Sequence, residues 1–154
     1  MNMQITTRFA TAKEAKEIID FQIAMALETE SLALDRQTVE KGVAYVFLNK
    51  EKAVYLVAEA DNIVVGSLML TYEWSDWRNG MVVWIQSVYV LPEHRKKGVF
   101  NSMFQFVKEM VDNNPYYCGI RLYVDKTNVN AQKVYTKLGM NGDHYATFEL
   151  MEQK

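Results

Sequence analysis

The stretch Pro92-Glu-His-Arg95-Lys-Lys-Gly98-Val-Phe-Asn101-Ser-Met-Phe104-Gln-Phe-Val107 lies between two runs of different period. Before it, Met81 to Val90 is apolar, β-branched and aromatic, which predicts a long strand stopped by Pro92. After its cations, Phe100, Met103, Phe104, Val107, Met110 and Val111 recur at helical spacing, and Asn113-Asn114-Pro115 ends that helix. Arg95, Lys96 and Lys97 stand at the join, next to Gly98. A solvated basic turn with a glycine at positive φ is one reading. The other is an anion site. The first turn of a helix offers free N–H groups and a partial positive charge. Gly98 lets a ligand approach the backbone, and the cations add charge at the rim, a combination that suits phosphate or pyrophosphate. Gly98-Val-Phe-Asn does not supply a Walker loop, and a single glycine does not supply a Rossmann fingerprint.

Working outward, Met3 to Phe9 reads as a short strand. Thr11-Ala-Lys-Glu14 has the spacing of a capping box, ahead of an apolar face of Ala15, Ile18, Ile19, Ile23, Ala26 and Leu27. Asp35 is placed to cap a second helix with the stripe Val39, Val43, Val46 and Phe47. Ala53–Ala58 and Ile63–Tyr72 form a hairpin around Asp61-Asn62, and Trp74 to Gly80 is a loop. Beyond the central helix, Ile120–Val124 reads as a strand. Ala131, Val134, Tyr135 and Leu138 share the face of a short helix that stops at Gly139, and Tyr145–Met151 reads as a last strand. The unit from Met81 to Val124 is expected to be a right-handed parallel crossover. The order predicts a mixed α/β sheet with helices on its faces, in a single domain over 1–154.

Composition narrows the function. About half of the 154 residues are apolar (49%), enough for a sizeable core, and a formal charge of −2 does not favour a nucleic-acid partner. The one cysteine, Cys118, excludes an internal disulfide framework and reads as a small buried hydrophobe. The two histidines, His94 and His144, match no zinc spacing with it, so no metal is expected. No leader pattern or long uncharged apolar run occurs, so no membrane partner is expected and the location is read as cytoplasmic.

Two motifs then narrow it further. Val88-Tyr-Val-Leu-Pro-Glu-His-Arg95-Lys-Lys-Gly98-Val resembles the acyl-CoA pyrophosphate loop of the GNAT superfamily of N-acyltransferases, which runs Gln/Arg-x-x-Gly-x-Gly/Ala after a strand ending in Tyr-Val-x-Pro. Phe100 departs from it, standing where Gly or Ala is usual. Asn128-Val-Asn-Ala131-Gln-Lys-Val134-Tyr135-Thr-Lys-Leu138-Gly139-Met140 resembles the family's Asn-x-x-Ala-x-x-Leu/Val-Tyr-x-x-x-Gly-Phe segment, departing at Met140. The resemblance implies a GNAT-like fold: a mostly antiparallel central sheet with splayed parallel strands and about four helices. It implies transfer of acetyl from acetyl-CoA to a primary amine by direct attack. Pantetheine contacts fall on the main chain of Val88, Tyr89 and Val90. The diphosphate falls on the amides of Lys96, Lys97, Gly98, Val99, Phe100 and Asn101, beside Arg95. The second motif adds Asn128, Ala131 and Tyr135 to the CoA side.

Asn128 reads either as a helix cap or as a CoA contact, and both can hold. Tyr135 reads as a core aromatic from its spacing, and in the matched motif as a proton donor to the departing thiolate. Many relatives carry Glu where this chain has Gln86, followed by Ser87. A glutamine takes no proton at neutral pH but can orient a water that does. Glu73 or Asp76 would otherwise supply a carboxylate. Glu28 and Glu30, after the first helix, and Glu73, Trp74, Trp77 and Trp84 are the candidate acceptor-binding residues. Their acidity and aromatic faces point to a small, polyamine-like amine. A homodimer is expected from the resemblance. A non-catalytic CoA-binding module of the same fold, and a protein for another phosphate ligand, are the alternatives.

Overall fold

A computed structural model describes residues 3–152, whose backbone divides into two compact units, one up to Arg121 and one from Leu122 on. In the first unit, the strands β1 (Ile5–Phe9), β2 (Ala53–Ala60), β3 (Ile63–Ser75), β4 (Gly80–Val90) and β5 (Tyr117–Arg121) lie side by side in that order. The first four are antiparallel neighbours, and β5 runs parallel to β4. Asp61 and Asn62 turn the β2–β3 hairpin with φ of 52° and 65°, the left-handed geometry that Asp and Asn tolerate best after glycine.

Helices cover both faces. On one, α1 (Ala15–Glu30) and α2 (Arg36–Leu48) set Ile18, Val43 and Val46 onto Ala53, Tyr55 and Val57 of β2. On the other, α3 (Val99–Asp112) buries Val99, Met103, Phe104 and Val107, and Ser102 Oγ shares a 2.8 Å hydrogen bond with Thr7 Oγ1 of β1. Each such apolar side chain contributes about 1.5–3 kcal/mol on leaving water.

The expected caps form. Thr11 N–H donates to Glu14 Oε2 at 2.7 Å, and Lys13 N–H donates to Thr11 Oγ1. Thr38 N–H donates to Asp35 Oδ2 at 2.8 Å and starts α2. The α4 helix (Val129–Lys137) belongs to the second unit.

Two expectations are corrected. The strand expected over Ile120–Val124 begins earlier, at Tyr117, because its register is set by pairing with Met81–Trp84 of β4. The strand expected over Tyr145–Met151 is absent. Phe148 and Leu150 there are 95% and 94% exposed, and an alternating apolar pattern makes a strand only where an edge pairs with it.

Candidate active site

The register of β4 changes in its middle. Met69 of β3 faces Gln86, but Ser67 faces Tyr89, so Ser87 and Val88 together stand opposite Leu68. This is a β-bulge, and Ser87 takes φ of 53° within it. The direction of the backbone groups follows. Met81 N–H donates to Tyr116 carbonyl, so odd-numbered residues before the bulge face the β5 side. Leu91 N–H donates to Val65 carbonyl, so odd-numbered residues after it face β3. Val88 and Val90 therefore turn their N–H and carbonyl groups toward the β5 side. Pairing with β5 ends at Trp84, so among the described residues no strand meets that edge beyond the bulge. An extended ligand with amide groups fits such an edge as an added strand.

The loop that follows reaches α3 through two left-handed residues, Lys96 (φ 60°) and Gly98 (φ 85°). Gly98 is the N-cap and brings no side chain to the first-turn amides, whose direction and partial charge suit an anion. Space is not the reason for glycine here: a Cβ at Gly98 would meet nothing within 4 Å. The positive φ is. Arg95 folds back along β4. Its Nε donates to Val90 carbonyl at 2.9 Å, its Nη2 to Glu28 Oε2 at 2.7 Å, and its guanidinium lies 5.4 Å from the centre of the Tyr89 ring. Tyr89 hydroxyl donates to the other oxygen of Glu28 at 3.0 Å. The Arg95 bond is the main cause holding the Glu28 carboxyl below its usual pKa. Burial, and then Glu28, raise the pKa of Tyr89.

On the α1/α2 face a cleft of about 480 Å³ opens beside the bulge. Val39, Val43 and Val46 of α2 wall it, with Tyr55 and Met69 of the sheet opposite. Ser87 of β4 and Thr71 of β3 also line it, with Gln22 of α1 and Lys52 from the turn before β2. Among the described residues no carboxylate lines it. Gln86 is anchored beside it, donating from Nε2 to Thr71 Oγ1 at 2.5 Å, so its Oε1 remains the acceptor.

The structure distributes the expected acceptor residues differently. Glu28 belongs to the Arg95 loop, and Glu30 is exposed at the end of α1. Glu73 is bonded to Arg121 of β5. Trp74 and Trp77 are exposed, Trp74 lying 6.3 Å from the ring of Tyr116, and Trp84 is half-buried on β4. None of them lines the cleft. Gln22, Gly42, Lys52, Tyr55 and Thr71, which do, were not singled out in the sequence. The one legible signal was Gly42, a missing side chain inside the stripe Val39, Val43, Val46.

In the second unit, Asn128 Oδ1 accepts from Ala131 N–H at 3.1 Å and caps α4. Tyr135 is half-buried on that helix, and burial raises its phenol pKa, so it keeps its proton at neutral pH. Among the described residues no group of three or more His, Cys, Asp or Glu gathers to hold a metal, and no helix is long and apolar enough to cross a membrane.

Comparison with known proteins agrees with this fold. The family model of the acetyltransferase (GNAT) family matches residues 21–140. An N-alpha-acetyltransferase of Sulfurisphaera tokodaii is 27% identical over 148 residues, covering 85% of this chain and 84% of its own. The crystal structure of a possible acetyltransferase from Clostridium difficile 630 is 41% identical, with a TM-score of 0.89 over 97% of this chain and 99% of that one. An acetyltransferase from Clostridium acetobutylicum solved with acetyl-CoA shares the fold, with a TM-score of 0.73 at 17% identity over 95% of this chain and 96% of that one.

Proposed function

We propose that this chain, which belongs to the acetyltransferase (GNAT) family, passes an acetyl group from acetyl-CoA directly to a primary amine in a ternary complex. It is an acetyltransferase; the order of attack, the residue roles and the acceptor are the proposal. The observation that carries it is the bulge at Ser87, which leaves the Val88 and Val90 backbone groups without a strand partner just ahead of the Gly98 N-cap.

The chain's groups take these parts. Val88 and Val90 hold the amide-bearing pantetheine arm as a strand would, and an edge N–H polarises the thioester carbonyl. The amides from Lys96 to Asn101 receive the diphosphate, with Arg95 able to turn to it from an ion pair whose side chains are 44% and 39% exposed. Gln86, held by Thr71, offers Oε1 to the amine or to a water beside it. Tyr135 keeps its proton until the thiolate needs one. Asn128 and Ala131 are assigned to the coenzyme by the motif they belong to.

The acceptor is read as a small-molecule amine. The N-alpha-acetyltransferase of Sulfurisphaera tokodaii favours a second reading, an α-amine at the end of a polypeptide. The cytoplasmic location and the homodimer are proposed alongside, the latter checked by sedimentation. Thiol release from acetyl-CoA over a panel of amines tests the transfer itself. Turnover with at least one primary amine is expected. Coenzyme binding without thiol release over the whole panel contradicts it.

A further inference from the structure

The cleft beside the bulge is built for a different amine from the one that the acidic residues advertise. Its walls are aliphatic, its charged lining residue is Lys52, and no carboxylate lines it. A polycation gains nothing there and loses its hydration. Of the carboxylates that were candidates to hold one, Glu28 is bonded to Arg95, Glu73 to Arg121, and Glu30 is exposed at the end of α1, outside the cleft. Gln22, which lines the cleft, also carries an unanswered donor: its Nε2 is buried with no hydrogen-bond partner in the protein. A buried amide donor of this kind is costly until an acceptor atom meets it, and a carbonyl or carboxylate oxygen on the ligand would.

Gln86 points the same way. An amide takes no proton at neutral pH, so an amine that already arrives neutral is favoured there. At pH 7 roughly one α-amine in seven is neutral, against roughly one in 2,500 for an alkylamine such as a lysine side chain. The neutral amine forms the N–C bond as the C–S bond breaks, and the proton it gives up balances the one that the thiolate takes.

From these observations, and resting on the acetyl-transfer reading above, we infer that the acceptor is an α-amine flanked by a carbonyl group and an apolar side chain. The amine faces Ser87 and Gln86, the side chain fills the space between Val39, Val43 and Met69, and the carbonyl oxygen meets Gln22. A free amino acid and the first residue of a peptide share the flanking oxygen and the apolar side chain, although the carboxylate of the former keeps more of its amine protonated. In the former the carboxylate would also meet Lys52.

Gly42 gives the variant that tests the pocket. It lines the cleft from α2, and a Cβ built on it meets nothing within 4 Å, so Gly42→Leu starts from open space, narrows the cleft and brings a better helix former. The experiment measures thiol release by the full chain at pH 7 with leucinamide, methioninamide, glycinamide, leucine, a leucyl dipeptide, spermidine and Nα-acetyl-lysine. Leucinamide is expected to exceed glycinamide and spermidine at least tenfold in kcat/KM, from its buried side chain and its lower amine pKa. Gly42→Leu should collapse the leucinamide-to-glycinamide ratio toward one, with an unchanged or raised melting temperature and unchanged coenzyme affinity. A preference for leucine that Lys52→Ala removes identifies the free amino acid, and a preference for the dipeptide identifies a chain terminus; either supports the inference. Spermidine or the lysine side chain reacting as well as leucinamide, or a ratio untouched in Gly42→Leu, overturns it and leaves acetyl transfer standing. No thiol release with any amine overturns both.

Discussion

Glu28 near the end of α1 and Arg95 in the loop after β4 are 67 residues apart in sequence and joined at 2.7 Å. The bond ties α1, which contributes Gln22 to the cleft, to the loop proposed for the diphosphate. Arg95 also holds the carbonyl of Val90, on the edge that β5 leaves unpaired. One guanidinium therefore bridges α1, the β4 edge and the anion loop. Because both side chains are more than a third exposed, the pair is worth at most about 1 kcal/mol and can be exchanged for a ligand.

Replacing Glu28 by Gln removes a negative charge that competes with the diphosphate for Arg95. Coenzyme A affinity should rise about twofold to fivefold, with stability changed by less than about 1 kcal/mol. Calorimetric titration of the variant checks this. A tenfold loss of affinity would instead mean that Glu28 positions Arg95 for the ligand.

Gly98 separates strain from charge. Gly98→Ala must place a Cβ residue at φ of 85° and should cost about 1–2 kcal/mol of stability although the site is open. Gly98→Glu adds a negative charge at the start of α3 and should abolish coenzyme affinity. Thermal melts and calorimetry on the pair distinguish the two effects. Retained affinity in Gly98→Glu would remove the diphosphate from this loop.

Tyr135→Phe keeps the apolar ring and removes the proton. Turnover should fall about 100-fold while coenzyme affinity stays unchanged. An unaltered rate in steady-state assays would reduce Tyr135 to packing.

Acid stability should reflect Glu14. Arg8 bonds to both Glu14 and Glu59, and the Arg8 bond is the first cause that lowers the Glu14 carboxyl from its ordinary 4.5 to about 2. A carboxyl with a depressed folded-state pKa stabilises fully above pH 4.5, and that contribution is lost as pH falls toward about 2. Glu14→Gln should lower stability by about 1–2 kcal/mol at pH 7 and flatten the acid limb of the melting curve over that window. A parallel shift at every pH would contradict the assignment.

The parts of the site that were legible in the sequence are those made by adjacent residues. Arg95 to Gly98 and Asn128 to Gly139 carry their chemistry in local order, as do the caps Thr11, Asp35 and Asn128. The splayed strands were expected only through the family resemblance, and nothing about Ser87 as a letter announces the left-handed residue that makes the bulge. Of the cleft, only Gly42 left a signal. Its walls come from α1, α2, β2, β3 and β4, and which side chains meet there depends on register. Glu28, Glu73 and Trp74 looked free to bind an amine because sequence shows charge and aromaticity but not partners. Phe148 and Leu150 misled for a related reason: strand propensity was visible, and the missing partner edge was not.

Amide hydrogen exchange with and without coenzyme A tests the central claim most directly. Binding along the β4 edge and the start of α3 predicts slowed exchange over residues 85–91 and 96–102, with the hairpin turn at Asp61-Asn62 unchanged. Saturating coenzyme that leaves both segments exchanging at their original rates would contradict the account.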